Sequence, residues 1–401
     1  LFTTNPTRGE KNGSIDGTYA EVNFGMGHAA QGLDFLEVMR PGQPLFAAEY
    51  WPGWFDHWGQ PHQTRPIAPQ IADLKTILGR GASLNLYMFH GGTSFGFMSG
   101  ASWTDSSYMP DVTSYDYDAP LDEAGHPTPK YYAYRKVYEK FAGHPLLPVP
   151  QPPPVIAIPE FTLEESAPLW DNLPAPIQSE TAKAMEMYEQ SYGFILYRTE
   201  LYGPVHGTLA IPGMNDYAKI YVDGKPAGTL DRRLKQDSLT LDSAGPEARL
   251  DILIENDGRI NSTRMMRYGQ KGAPRGITLD GRELTGWQVY PLPMTNFKHV
   301  HFGSGGQASG PAFYRGSFSV TKIGDTFLDV RDLKKGAVWI NGHAIGRYWD
   351  IGPQETLYVP GPWLREGSNS IVVFDVDGVS GPHLAGLTTP ILDGPTRESD
   401  E

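Results

Sequence analysis

Leu45-Phe46-Ala47-Ala48-Glu49-Tyr50-Trp51-Pro52-Gly53-Trp54-Phe55-Asp56-His57-Trp58-Gly59 sets a run of strand character before a carboxylate and crowds three tryptophans in behind it. Leu45–Ala48 reads as a strand that Glu49 terminates, and a carboxylate at a strand's end is where an α/β barrel keeps its chemistry. Flat indole faces suit a ligand with apolar C–H faces and polar edges, which describes a sugar. The plainer alternative for Glu49 is a surface or salt-bridged glutamate.

Outward from this stretch, residues 1–142 alternate strand-like and helix-like pieces. Ala20–Phe24 is expected as a strand, and Ala30–Met39 as a helix with Leu33, Leu36 and Met39 on one side. Pro66 and Pro69 suit a helix start, with Ile71, Leu74 and Leu78 as its buried face and Gly79 and Gly81 as its stop. Leu84–Phe89 is a nearly continuous apolar run, as for a parallel strand covered on both faces. Lys130–Phe141 closes the region as a helix carrying Tyr131, Tyr134, Tyr138 and Phe141 on one stripe. This βαβα pattern has room for about half of a (β/α)₈ TIM barrel, which needs ~250 residues; a small complete α/β domain is the alternative. Seven prolines between Pro145 and Pro159 mark a stiff linker and a domain boundary.

Beyond the linker the chain reads as β throughout and repeats itself. Gly193-Phe194-Ile195-Leu196-Tyr197-Arg198 returns as Gly310-Pro311-Ala312-Phe313-Tyr314-Arg315, and Tyr221-Val222-Asp223-Gly224 with Gly228 returns as Trp339-Ile340-Asn341-Gly342 with Gly346. Asn256-Asp257-Gly258 returns as Val376-Asp377-Gly378, and the three offsets are 117, 118 and 120. One order at nearly one spacing predicts two copies of a β domain, each a sandwich or jelly roll. Asp223-Gly224 and Asn341-Gly342 are type I′ hairpin signals, since both central residues need φ > 0. The expected division is 1–144 for the half-barrel, 145–159 for the linker, 160–284 and 285–391 for the sandwiches, and 392–401 for a flexible tail.

Composition narrows the partners. Lys+Arg 33 against Asp+Glu 46 gives a net charge of −13, which argues against nucleic acid and other polyanions. No apolar run approaches the ~20 residues of a membrane span. With Cys 0, disulfides and thiolate metal sites are excluded. His57 and His62 lack the helical spacing of a zinc pair and Pro61 lies between them, so neither metal nor cofactor is expected. Asn85 and Tyr87 are expected on one sheet face. His90-Gly91-Gly92-Thr93 turns the chain sharply, either to bring backbone to a ligand or as an ordinary turn. Thr113-Ser114-Tyr115-Asp116-Tyr117-Asp118-Ala119-Pro120-Leu121 suits the rim of a sugar pocket, although turn chemistry also explains Asp116 and Asp118.

Glu49 through Gly59, Gly81 through Phe89 with its Gly-Gly-Thr, and Thr113 through Leu121 together resemble the second half of the catalytic barrel of family-35 glycoside hydrolases, the β-galactosidases. The paired β domains resemble that family's galactose-binding-like domains. The resemblance implies a retaining hydrolase that removes terminal non-reducing β-galactose from a β-galactoside, with a periplasmic or extracellular location. Glu49 matches the nucleophile, Trp54 an aromatic lining the galactose pocket, and Tyr87 and Tyr117 tyrosines that approach the nucleophile and the sugar hydroxyls. The family's general acid/base is a glutamate directly after an asparagine, and this chain holds no Asn-Glu dipeptide. A missing N-terminal half-barrel is therefore the expected partner, and the chain alone is expected to be nearly inactive. Nothing in the context of Glu10 or Glu21 favours either as a substitute. A carbohydrate-binding fragment with a vestigial half-barrel is the competing reading.

Overall fold

Four short strands organise the α/β part: β1 (Phe2–Pro6), β2 (Tyr19–Gly25), β3 (Phe46–Trp51) and β4 (Ser83–Leu86) pair in chain order, all parallel. The computed structural model describes residues 2–6, 14–305, 308 and 310–397. Leu1, Glu10 and residues 398–401 of the expected tail lie outside the described residues. Among the described residues three α-helices accompany the strands, α1 (Ala29–Met39), α2 (Ile67–Gly79) and α3 (Pro129–Ala142). Extended Pro66 caps α2, and Pro69 sits in its first turn, where a missing N–H costs nothing. Thr128 Oγ1 accepts from Tyr131 N at 3.4 Å ahead of Pro129, and left-handed Gly143 closes α3.

All three helices cover the same face of the sheet. Ala20, Val22 and Phe24 of β2 pack with Ala47 and Tyr50 of β3, with Leu33 and Leu36 of α1 and with Ile77 of α2. Leu74 meets Tyr134, Val137, Leu84 and Leu86 in an adjoining cluster. By strand alternation the other face carries Glu21 and Asn23, and Ser83 and Asn85 are exposed there. The expected strand Leu84–Phe89, covered on both faces, is thus corrected to a four-residue strand covered on one. Of the stripe expected on α3, Tyr134 is buried with Lys130 and Val137, while Phe141 is 60% exposed.

The chain divides into two units. The first comprises Leu1–Asp56, His62–Thr93 and Ser114–Pro154; the second comprises His57–Pro61, Ser94–Thr113 and Val155–Glu401. Two excursions from the N-terminal region therefore fold with the β-rich remainder. The longer one forms the hairpin β5 (Ala101–Thr104) and β6 (Ser107–Pro110). Thr113, expected at a pocket rim, is fully buried in the second unit and exchanges hydrogen bonds with the Arg347 backbone at 2.7 and 3.0 Å.

The second unit holds two antiparallel sandwiches. In chain order the strands are β7 (Ile158–Thr162), β8 (Glu165–Pro168), β9 (Ile177–Thr181), β10 (Phe194–Tyr202), β11 (Val205–Ala210), β12 (Tyr217–Val222), β13 (Lys225–Asp231), β14 (Ser238–Ser243) and β15 (Glu247–Glu255). There follow β16 (Thr278–Leu279), β17 (Arg282–Glu283), β18 (Thr285–Leu292), β19 (Gly303–Ser304), β20 (Ala312–Val320), β21 (Thr326–Asp329), β22 (Lys335–Ile340), β23 (His343–Trp349), β24 (Thr356–Val359), β25 (Gly367–Asp375) and β26 (His383–Leu387). The first large sheet runs β13-β12-β15-β10-β18-β9 and the second β23-β22-β25-β20-β8-β19. Each copy therefore repeats one order of hairpin, long return strand and opening strand. Smaller sheets, β14-β11-β16-β17 and β24-β21-β26-β7, complete the two sandwiches.

The repeat extends to its irregularities. Both hairpins turn on two residues with positive φ, 51° and 76° at Asp223-Gly224 and 51° and 84° at Asn341-Gly342. The register skips Ala227 in one copy and Ile345 in the other, so each hairpin has a bulge at the same place. β7 and β8 precede the first copy in sequence yet pair with the second, while β18 completes the first. The copies consequently part after Leu292 and not at residue 284. Each sandwich has its own core, and the outer faces of the two large sheets share a third, where Leu196 and Phe194 meet Phe313, Phe374 and Trp339. Trp58 and Val112 of the excursions pack into that third core.

Candidate functional site

Glu49 is not the end of its strand, since β3 runs on to Trp51. A bulge places it instead. Val22 pairs with Ala47 and Asn23 with Glu49, so Ala48 is skipped; on the other side Ala47 and Tyr50 pair with Leu84 and Leu86. The extra residue lets Ala47 and Tyr50 both face the helices while Glu49 sides with Asn23 on the polar face. Bulges of this kind re-aim a side chain, and a Leu45–Ala48 strand ending at Glu49 does not contain it.

Aromatic rings surround this carboxylate. Trp51 Nε1 donates to Glu49 Oε2 at 2.9 Å. Trp51 meets Trp54 edge-on at 5.9 Å, Trp54 stacks on Phe55 at 5.0 Å and lies 6.2 Å from Tyr117. Tyr117 stacks on Tyr115 at 5.6 Å and meets Tyr87 edge-on at 5.8 Å. The Tyr87 and Tyr115 hydroxyls are 3.3 Å apart. Burial, then Tyr87, then the Glu49 charge hold the Tyr117 phenol well above its ordinary range, so it stays a protonated donor. All four residues singled out from sequence, Glu49, Trp54, Tyr87 and Tyr117, thus gather in one cluster. Trp58, the third tryptophan, leaves it for the second unit, where it packs against Trp349 at 6.4 Å.

Two glycines set the cluster's depth. A Cβ on Gly53 would lie 1.6 Å from the Tyr117 carbonyl oxygen, and one on Gly91 would lie 1.7 Å from that of Tyr115. Gly91 thus brings backbone close to the chain's own Ser114–Asp118 segment. That segment bends through left-handed Tyr117 and Asp118, with φ of 66° and 49°. Such a conformation is strained for a tyrosine, and a buried network holds it. Asp118 Oδ2 accepts from Arg65 N at 2.6 Å and from Lys130 Nζ at 2.8 Å, while Lys130 also reaches the Pro52 carbonyl at 2.9 Å. Asp116 Oδ2 accepts from Asp118 N at 3.1 Å, the turn chemistry anticipated for it.

Lys130 and Glu123 went unremarked in the sequence. A lysine in the first turn of a helix opposes the helix dipole, and that misplacement was the available signal. Burial lowers its pKa against the pull of Asp118. Glu123 is buried behind the segment, where its Oε1 accepts from Thr93 Oγ1 at 2.6 Å. Burial pushes its pKa up to about 8, against hydrogen bonds from Thr93 and Ser114. Thr93 and Ser114 pair as a bridge where the chain leaves the first unit and re-enters it, so Glu123 clasps the two ends of the longer excursion. Glu21, buried on the face of Asn23, has its pKa raised by burial. His62 Nδ1 lies 2.6 Å from Asp56, and His57 lies 2.9 Å from Asp111 in the other unit. Among the described residues no three metal-ligating side chains cluster and no helix is long and apolar enough to cross a membrane.

An aromatic-walled carboxylate on a one-sided parallel sheet, followed by paired sandwiches, points to the class of glycosyl hydrolases. Residues 1–141 match glycosyl hydrolases family 35, residues 183–293 the first all-beta domain of beta-galactosidase and residues 311–369 its galactose-binding domain. The three matches fall in one order along the chain. It is 45% identical over 362 residues to a beta-galactosidase of Xanthomonas manihotis, covering 90% of this chain and 60% of that protein. It is 39% identical over 413 residues to a beta-galactosidase-1-like protein of Mus musculus, covering 98% and 63%, and 38% identical over 419 residues to a beta-galactosidase of Homo sapiens, covering 94% and 60%. The chain therefore spans about three fifths of the length of the curated relatives it matches.

Proposed function

We propose that this chain is the C-terminal part of a retaining exo-β-galactosidase, with Glu49 as nucleophile and the general acid/base outside these 401 residues. The observation that carries the reading is the bulge at Ala48, which sets Glu49 on the helix-free polar face among Trp51, Trp54, Tyr87 and Tyr117. A parallel sheet with helices on one side and Glu21, Asn23, Glu49, Ser83 and Asn85 on the other has the makings of a (β/α)₈ wall, the polar face being the barrel interior. Four parallel strands supply half of it, and a companion half-barrel supplies the rest.

In the assembled pocket one Glu49 oxygen attacks the anomeric carbon while the acid protonates the leaving oxygen. A glycosyl ester forms, and water then cleaves it with the same acid acting as base. The Trp51 indole N–H occupies Oε2, which leaves Oε1 as the attacking atom. Retention requires the two carboxyls ~5–5.5 Å apart. Trp54 supplies an apolar face for the sugar C–H bonds, and the Tyr87 and Tyr117 hydroxyls reach polar edges.

Labelling with a 2-deoxy-2-fluoro-β-galactosyl donor and peptide mass spectrometry tests this. The label should fall on Glu49 when the chain is co-expressed with an upstream half-barrel bearing Asn-Glu, and the chain alone should stay unlabelled. Normal turnover of galactosides by the chain alone would overturn the missing acid and bring Glu21 forward. The match of residues 311–369 to a galactose-binding domain favours a second reading, a carbohydrate-binding fragment. Galactoside binding that Glu49→Gln leaves intact in the absence of any labelling would select it.

A further inference from the structure

Within the second unit, a cavity of about 550 Å³ opens on the first sandwich. Its floor is buried Met214 and Asn215, and rings of Trp103 and Tyr268 line it. Asn215 donates from Nδ2 to the carbonyls of Tyr268 and Gln270 at 3.1 and 2.5 Å, which pins the turn that brings Tyr268 and Arg267 to the rim.

The cavity's charge is opposite to that of the chain. Beneath the floor, fully buried Asp216 takes two cations, Arg232 Nη1 at 2.8 Å and Lys271 Nζ at 2.5 Å, so one positive charge is left over. Arg232 is held over the Tyr108 ring at 4.3 Å, with Trp103 at 5.7 Å. At the rim, Lys235, Arg267 and Arg275 are exposed and have no ion pair among the described residues, and Asp237 is the one carboxylate in the lining. A chain of net charge −13 thus concentrates uncompensated cations around one aromatic-walled hollow. Lys235, Arg267 and Arg275 converge on this one hollow, against a single carboxylate.

The geometry points to a second ligand site here, which takes a sugar residue bearing a carboxylate or a sulfate. The cations recognise the anionic group through charge-assisted hydrogen bonds, and the Trp103 and Tyr268 faces take the apolar side of the ring. A bare inorganic anion would leave most of the hollow empty. The site goes beyond the β-galactosidase reading and stands or falls independently of Glu49.

Calorimetric titration of the full chain with galacturonic acid, galactose 6-sulfate, galactose and sodium sulfate tests it. One of the two anionic sugars should bind at least roughly tenfold more tightly than galactose, and which one wins separates carboxylate from sulfate recognition. Its affinity should fall as salt is added. The Arg267→Ala/Arg275→Ala double variant should lose about tenfold with an unchanged melting midpoint, since both side chains are exposed and unpaired. Glu49→Gln should bind as the parent does. Equal binding of galactose, equal binding of sulfate alone, or full affinity in the double variant would each overturn the site.

Discussion

Replacing Glu123 with glutamine should stabilise the first unit at alkaline pH and leave it unchanged at acid pH. Glu123 keeps its proton in the folded protein to about 8, against 4.5 for the free side chain. An unfolded chain therefore releases a proton that the folded chain retains, and folding weakens as the pH rises through that window. The stabilisation is complete below the unfolded value and gone above the folded one. Each pH unit is worth ~1.4 kcal/mol, so a rise from about pH 5 to about pH 8 should remove roughly 4 kcal/mol from this unit. Glutamine mimics the protonated acid: its carbonyl can accept from Thr93 and its amide can donate toward Ser114. Hydrogen exchange of peptides covering Ser114–Glu123, measured across this range, isolates the unit from the sandwiches. Protection in the parent should decline with pH while that of Glu123→Gln, corrected for intrinsic exchange, stays level. Parallel pH profiles, or a variant less protected than the parent at about pH 8, would refute the reasoning.

Gly53→Ala drives a methyl into the Tyr117 carbonyl oxygen, 1.6 Å from the ideal Cβ. It should cost about 1–3 kcal/mol and displace Tyr117, read as an altered near-ultraviolet dichroism and loss of glycosyl labelling in the paired enzyme. Lys335 lies buried 3.1 Å from Glu255 and 2.9 Å from Asp257, so Lys335→Met leaves two buried carboxylates to share Arg347, 3.8 and 3.6 Å away. Urea unfolding of the second unit should show a loss of about 3–5 kcal/mol, and a loss below about 1 kcal/mol would mean the charges are solvated.

The parts of the fold written in local chemistry were legible. Asp223-Gly224 and Asn341-Gly342 announced their hairpins because no common residue pair other than Asn/Asp-Gly takes two positive φ values so readily. The bulge at Ala48 was not legible, since Ala-Ala-Glu carries no turn residue and the extra residue shows only against two neighbouring strands. Trp58 looked like a third indole for the sugar because its true partner, Trp349, is remote in sequence. Lys130 and Glu123 escaped because their role lies in what buries them.

The two excursions have a consequence for biosynthesis. Thr113 finds its partner Arg347 across 234 positions, and Trp58 waits for Trp349. A ribosome adding ~5–20 residues per second needs roughly 10–50 s to span that interval. During that time the nascent chain holds out Thr113 and Trp58 without these partners, while the β5–β6 hairpin can already meet Gly258 and Ile260. Chaperone occupancy on the emerging polypeptide should therefore rise as residue 58 clears the exit tunnel and fall only after Phe374 has followed.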